Sequence, residues 1–135
     1  MGYLIDTCIW IDVERGAIAP LDVASITKEE AVYLSPITIA ELKFGMENAK
    51  TPDLRQKRAA ALSRLKKKPI LIIDETTGEI FGDLAANLRK KGGHAHRVQD
   101  LWLASQAIQH GFHFLTLNKK DFEGIPGLSL VLWKK

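Results

Sequence analysis

The chain has 135 residues, 46% of them hydrophobic and 26% charged, with a formal net charge of +3 at pH 7. That suffices for one soluble domain with a real core and is too little for two comfortable ones. A lone cysteine, Cys8, excludes an internal disulfide framework, and the apolar runs are far too short to span a membrane or serve as a secretory signal, so a cytoplasmic protein without a membrane partner is expected.

Tyr3-Leu4-Ile5 is a short apolar run that stops at Asp6 and gives way to Thr7 and the apolar stretch Cys8-Ile9-Trp10-Ile11. A buried strand that delivers a carboxylate to its carboxyl end and then turns into a helix reads this way. Gly16 and Pro20 punctuate a loop, and residues 21–30 form a weak helix with an irregular apolar pattern. Val32-Tyr33-Leu34 is the second strand. Ser35-Pro36 opens the next helix, serine as cap and proline at the first helical position, and this helix runs to about Asn48. A basic helix follows from about Pro52 to Lys67, with Ala59, Leu62 and Leu65 inward. Ile70 to Ile73 has no alternation, as expected of a strand covered on both faces. Asp74 to Lys91 is helical and is stopped by Gly92-Gly93. Residues 94–97 are a polar loop, and Val98 to Gln109 is the most apolar helix, ended by Gly111. His113 to Thr116 is a strand, and Leu128 to Trp133 the last one. Strands alternating with helices at this spacing predict a three-layer α/β/α sandwich around a mostly parallel sheet of four or five strands, in a single domain over residues 1–135.

Charge is spread unevenly along this frame. Arg55, Lys57, Arg58, Arg64, Lys66, Lys67 and Lys68 lie in a stretch without an acidic residue, and the rest of the chain carries twelve basic against sixteen acidic residues. Arg55, Lys57, Arg58 and Lys66 to Lys68 are candidate contacts for an RNA backbone or for an acidic partner; a solvated helix face explains them equally well.

The carboxylates carry the chemistry. In open parallel sheets ligands sit beyond the carboxyl ends of the strands, which is where Asp6 falls if its strand is central. Its plain alternative is a helix cap. Glu41 lies in line with Ile37 and Phe44 at helical spacing and is expected to face inward, where a glutamate needs a metal or another cation as partner. Asp100 begins the apolar helix, and Ala104, Ala107 and Gly111 on that helix permit close approach to the sheet. An ordinary first-turn aspartate is the alternative there. Asn118 and Asp121 follow a strand on the same side; either can be an ordinary turn residue, and for Asn118 alone that reading is favoured. Asp74 and Glu75 also follow a strand and are set aside, because that strand comes far enough along the order to lie at an edge. Gathered together, Asp6, Glu41, Asp100 and Asp121 would repel one another unless a hard divalent cation joined them. Oxygen ligands without a converging Cys/His set favour Mg²⁺ or Mn²⁺ over Zn²⁺. Such a site suits in-line displacement at phosphorus by a deprotonated water, with Thr7 and Thr116 as supporting hydroxyls.

The motifs LIDTCIWID, SPITIAELKFG, VQDLWLASQA and FLTLNKKDFEGIPGL, in this order and spacing, resemble the PIN-domain ribonucleases and in particular the VapC-type toxins of toxin–antitoxin pairs. The resemblance covers essentially the whole chain. It implies a PIN-like parallel sheet with the first strand central, and a Mg²⁺- or Mn²⁺-dependent endoribonuclease, dimeric, inhibited by a small cognate antitoxin that occupies the cleft and meets the carboxylates with an arginine. Carried over residue by residue, it places Asp6, Glu41 and Asp100 in an acidic triad. The fourth place falls to Asp121 as the acid, with Asn118 as a polar helper. Two rival readings stand beside it. One is an aspartyl-phosphate phosphatase-like domain using Asp6 as nucleophile, which lacks a second Asp two residues on. The other is a non-catalytic module that binds nucleic acid or a partner. Of the remaining residues, the His94/His96 pair reads as a loop feature, Cys8 as an inert core thiol, and Trp10 and Trp102 as core or subunit contacts.

Overall fold

The computed structural model describes residues 1–92 and 96–134. Its four strands are β1 (Tyr3–Ile5), β2 (Val32–Tyr33), β3 (His113–Thr116) and β4 (Ser129–Leu132), all parallel in the order β2-β1-β3-β4. β1 is therefore interior to the sheet, as its uniformly apolar sequence requires. Seven helices are described: α1 (Thr7–Arg15), α2 (Pro20–Thr27), α3 (Pro36–Glu47), α4 (Pro52–Leu65), α5 (Glu75–Lys91), α6 (Val98–His110) and α7 (Lys119–Phe122).

Alternation along the strands builds two cores. Leu4 and Phe114 point to one face, where they meet Leu71, Leu84, Leu101, Leu103, Ala104 and Ala107 from the α5–α6 side. Tyr3, Ile5 and Leu115 point to the other, against Ile9 and Trp10 of α1, Val23 of α2 and Ile18 between the two helices. The result is the expected α/β/α layering. Ala104 and Ala107 are fully buried, so the small residues of α6 do bring that helix onto the sheet. Gly2 is buried too, and a Cβ there would come within 2.9 Å of the Tyr33 ring.

Local chemistry sets the helix ends. Ser35 Oγ accepts from the Ile37 amide at 3.0 Å, with Pro36 at the first helical position. Gly111 ends α6 in the left-handed region at φ 67°, which favours glycine. Asp74 and Thr77 form a reciprocal capping box at the start of α5, which accounts for Asp74 as a structural residue.

Two expectations need correction. Ile70 to Ile73 is not a strand covered on both faces. It meets the sheet only through a bridge between Leu34 and Ile70, and Ile70 and Ile72 are exposed. Besides that bridge a side chain holds this segment: Gln106, fully buried on α6, donates to the Leu71 carbonyl at 2.9 Å and accepts from Ser35 Oγ. A glutamine that supplies the missing ladder bond removes the need for a fifth strand. Phe44, expected inward, is 71% exposed. The buried side of α3 runs through Thr38, Leu42 and Met46, which places Glu41 on its flank and Phe44 beyond it.

Candidate active site

The backbone first fixes where Asp6 stands. Its amide donates to the Leu115 carbonyl of β3 at 2.9 Å, so the residue is tied to the neighbouring strand at the carboxyl edge of the sheet. It occupies the N-cap position of α1 but forms no side-chain capping bond. Instead Oδ2 accepts from Thr116 Oγ1 at 2.7 Å and from the Cys8 thiol at 3.3 Å. Thr116 is held in turn by the Asn118 amide, which donates to its Oγ1 at 3.0 Å. A carboxylate so oriented is a positioned group rather than a cap.

Glu41 reaches the same edge from α3. Thr7 Oγ1, at the first position of α1, donates to Glu41 Oε1 at 2.9 Å and lies 3.0 Å from Thr38 Oγ1. Asp100, on the first turn of α6, is buried. Arg97 joins the two: its guanidinium lies 3.5 Å from Glu41 Oε2 and 3.8 Å from Asp100 Oδ2. Asp121, on α7, is half-buried and close enough for its charge to act on Asp100. The structure thus brings together Asp6, Thr7, Glu41, Asp100, Thr116 and Asp121 from five elements, with Asn118 contributing its backbone.

Electrostatics mark this cluster as under stress. Burial pushes the Asp6 carboxyl up, against the hydrogen bonds from Thr116 and Cys8. Burial also raises Glu41, with the Asp6 charge adding to it against the bond from Thr7. Asp100 is pushed up to about 6 by burial, opposed by Arg97 and reinforced by the charges of Asp6, Asp121 and Glu41. The Cys8 thiol is pushed up to about 12, chiefly by burial and then by Asp6, so it remains a neutral donor and an inert one.

A folded-state carboxyl raised above its unfolded value binds its proton more tightly when folded. Its contribution to stability is complete below the unfolded pKa, near 4, and is lost as pH rises through about 6. Asp100→Asn is therefore expected to stabilise the metal-free protein at pH 7.5 by about 1–2 kcal/mol. This figure is discounted for solvent screening at the exposed Arg97 and for the loss of that ion pair. The gain should vanish at pH 4, and urea unfolding at the two pH values measures it. A variant less stable than the parent at pH 7.5 would contradict the assigned strain.

The donor set suits a hard divalent ion. It consists of carboxylates and hydroxyls, and the nearby thiol stays protonated. Among the described residues no three Asp, Glu, His or Cys side chains stand as a ready-made cage. The acids are engaged instead by hydroxyls and by Arg97, which sequence reasoning passed over as part of a polar loop. The signal that would have found it is a cation immediately before a helix, where oxygen acceptors are preferred and positive charge is disfavoured.

The basic stretch is partly committed to contacts of its own. Arg55 pairs with Glu47 at 2.6 Å, and Arg58 donates to the Gly45 carbonyl at 2.6 Å. Lys68 sits 5.6 Å above the Trp10 ring. Lys57, Lys66 and Lys67 are exposed. Arg58 also lines a cavity of about 230 Å³ that abuts Glu41 between α1, α3 and α4, with Trp10, Leu42 and Leu62 in its walls. His94 lies outside the described residues.

Known proteins share this sequence pattern and fold. The family model for the PIN domain matches residues 3–128. Ribonuclease VapC1 of Rickettsia felis is 33% identical over 136 residues, covering 97% of this chain and 96% of that protein. Ribonuclease VapC of Rickettsia bellii is 31% identical, covering 97% and 96%. Among solved structures, VapBC2 from Rickettsia felis, bound to a DNA fragment from its promoter, contains a chain that superposes with a TM-score of 0.86. That match has 25% sequence identity and covers 99% of this chain and 100% of the other.

Proposed function

The chain belongs to the PIN-domain family, among the VapC ribonucleases, and from that membership we propose that it is a divalent-metal-dependent endoribonuclease acting as the toxin of a toxin–antitoxin pair. The observation that carries this reading is the convergence of Asp6, Glu41 and Asp100, from three separate elements, at the carboxyl edge of a parallel sheet.

Asp6, Glu41, Asp100 and Asp121 would hold Mg²⁺ or Mn²⁺, directly or through water. An ion bound there supplies positive charge that lowers the pKa of water and offsets charge developing on phosphoryl oxygens. The chain's own part is to keep its acids in place. Thr116 and Cys8 fix one oxygen of Asp6, and Thr7 fixes one of Glu41. The other oxygen of Glu41, Oε2, faces the Arg97 guanidinium at 3.5 Å. Asn118 supports Thr116 from its backbone, and its exposed side chain would serve as a polar helper. Arg55, Lys57, Arg58, Lys66, Lys67 and Lys68 are secondary candidates for contact with RNA or with the antitoxin.

The proposal extends to the chain as one domain over residues 1–135, to a homodimer, and to a cognate antitoxin as inhibitor. No helix among the described residues is long and apolar enough to cross a membrane, and action in the cytoplasm, where RNA is met, goes with this reading. Purified protein is expected to cut total RNA in Mn²⁺, to stop in EDTA, and to leave 5′-phosphate ends that accept ligation. Cleavage that persists in EDTA, or ends carrying a 2′,3′-cyclic phosphate, would contradict it.

A further inference from the structure

Arg97 occupies a place that its own helix does not explain. It is the N-cap residue of α6, with extended backbone at φ −70° and ψ 145°, and it makes no side-chain capping bond. A guanidinium has no acceptor to offer the helix amides, and a cation at this end opposes the helix dipole. What compensates is the acid pair. Arg97 Nη2 lies 3.5 Å from Glu41 Oε2, and Nε lies 3.8 Å from Asp100 Oδ2. Glu41 and Asp100 sit on different helices, 59 positions apart in the chain, and this one side chain reaches both. It does so from a well-solvated stem, 61% exposed, whereas Asp100 is 8% exposed.

We infer that Arg97 is the built-in counter-ion of the acidic cleft, occupying Glu41 and Asp100 when no divalent ion is present and giving way when one binds. This rests on the metal-dependent reading above. The Glu41 oxygen nearest Arg97 is the one Thr7 leaves free, so guanidinium and ion compete for the same atom. Long contacts and an exposed stem make Arg97 easy to displace. Its positive charge also opposes a dication at close range. Both effects have the same sign: Arg97 weakens ion binding, keeps the acids from repelling one another in the metal-free protein, and ties activity to the ion concentration.

Arg97→Gln removes the charge at similar length and Arg97→Lys retains it. Mn²⁺ binding to EDTA-stripped, dialysed protein is read from the electron paramagnetic resonance signal of free Mn²⁺. Arg97→Gln should bind about three- to ten-fold tighter than the parent, while Arg97→Lys stays within about two-fold of it. Parent protein that binds Mn²⁺ with an affinity that Arg97→Gln leaves unchanged or weakens overturns the counter-ion assignment alone. Absence of binding by both proteins overturns the metal reading together with it. Binding by Arg97→Gln where the parent shows none is the strongest form of the expected result.

Discussion

Asp6→Asn is expected to lower RNA cleavage by at least about a thousand-fold while leaving the fold intact, and Asp100→Asn to do the same. The loss corresponds to roughly 4 kcal/mol of transition-state stabilisation. Asparagine keeps an acceptor oxygen for Thr116 and Cys8, so the bonds that place residue 6 survive the exchange. What disappears is the negative charge that the position is built to hold against burial. The check is cleavage of total RNA in Mn²⁺ beside a thermal melt, together with relief of growth arrest on expression. Asp100→Asn separates the two properties, because it should be inactive and yet no less stable than the parent at pH 7.5. Activity within ten-fold of the parent in either variant would remove the residue from the site.

Gln106→Leu is expected to cost about 2–3 kcal/mol although it replaces a polar core residue with an apolar one of similar size. Gln106 answers two groups at once, the Leu71 carbonyl at 2.9 Å and the Ser35 hydroxyl. Leucine would leave both inside the protein with one partner fewer, and each such group costs about 1–3 kcal/mol. The Ser35 hydroxyl retains its bond from the Ile37 amide, which is why the total stays below the simple sum. Urea unfolding should show a lower midpoint at unchanged slope. Amide exchange should quicken first over residues 70–73, since Gln106 and the bonds with Leu34 are what tie that segment down. Unchanged stability would mean that water enters and replaces the amide.

These two cases also show where the sequence was legible. Features written in neighbouring residues came through. Tyr3-Leu4-Ile5-Asp6 is a strand ending on a carboxylate, Ser35-Pro36 is a cap followed by proline at the first helical turn, and Gly111 ends α6. The parallel sheet follows from alternation of elements, the interior first strand is what the family resemblance implies, and the structure shows both. Features that depend on distant partners did not come through. Ile70 to Ile73 has the composition of a buried strand, and nothing local reveals that a glutamine more than thirty residues away will satisfy it. Phe44 shares a helical row with Glu41, but the neighbours of α3 turn that row outward by its end.

The acidic cleft divides along the same line. Asp6, Glu41 and Asp100 were selectable because an acid beside an apolar run needs a reason to be there. Thr7 and Thr116 read from the sequence as supporting hydroxyls, and in the structure each bonds directly to an acid of the cleft. Arg97 was invisible as a partner, because its two acids come from α3 and α6 and only folding sets them side by side.

The central claim is that acids from distant parts of the chain hold one divalent ion in a shared cleft. Anomalous diffraction at the manganese edge from crystals soaked in MnCl₂ tests it most directly. The account predicts a peak contacted by carboxylate oxygens of Asp6 and Asp100, directly or through water, with Glu41 beside it and the Arg97 guanidinium withdrawn. A peak seated away from these residues, or none at a manganese concentration that supports cleavage, would contradict it.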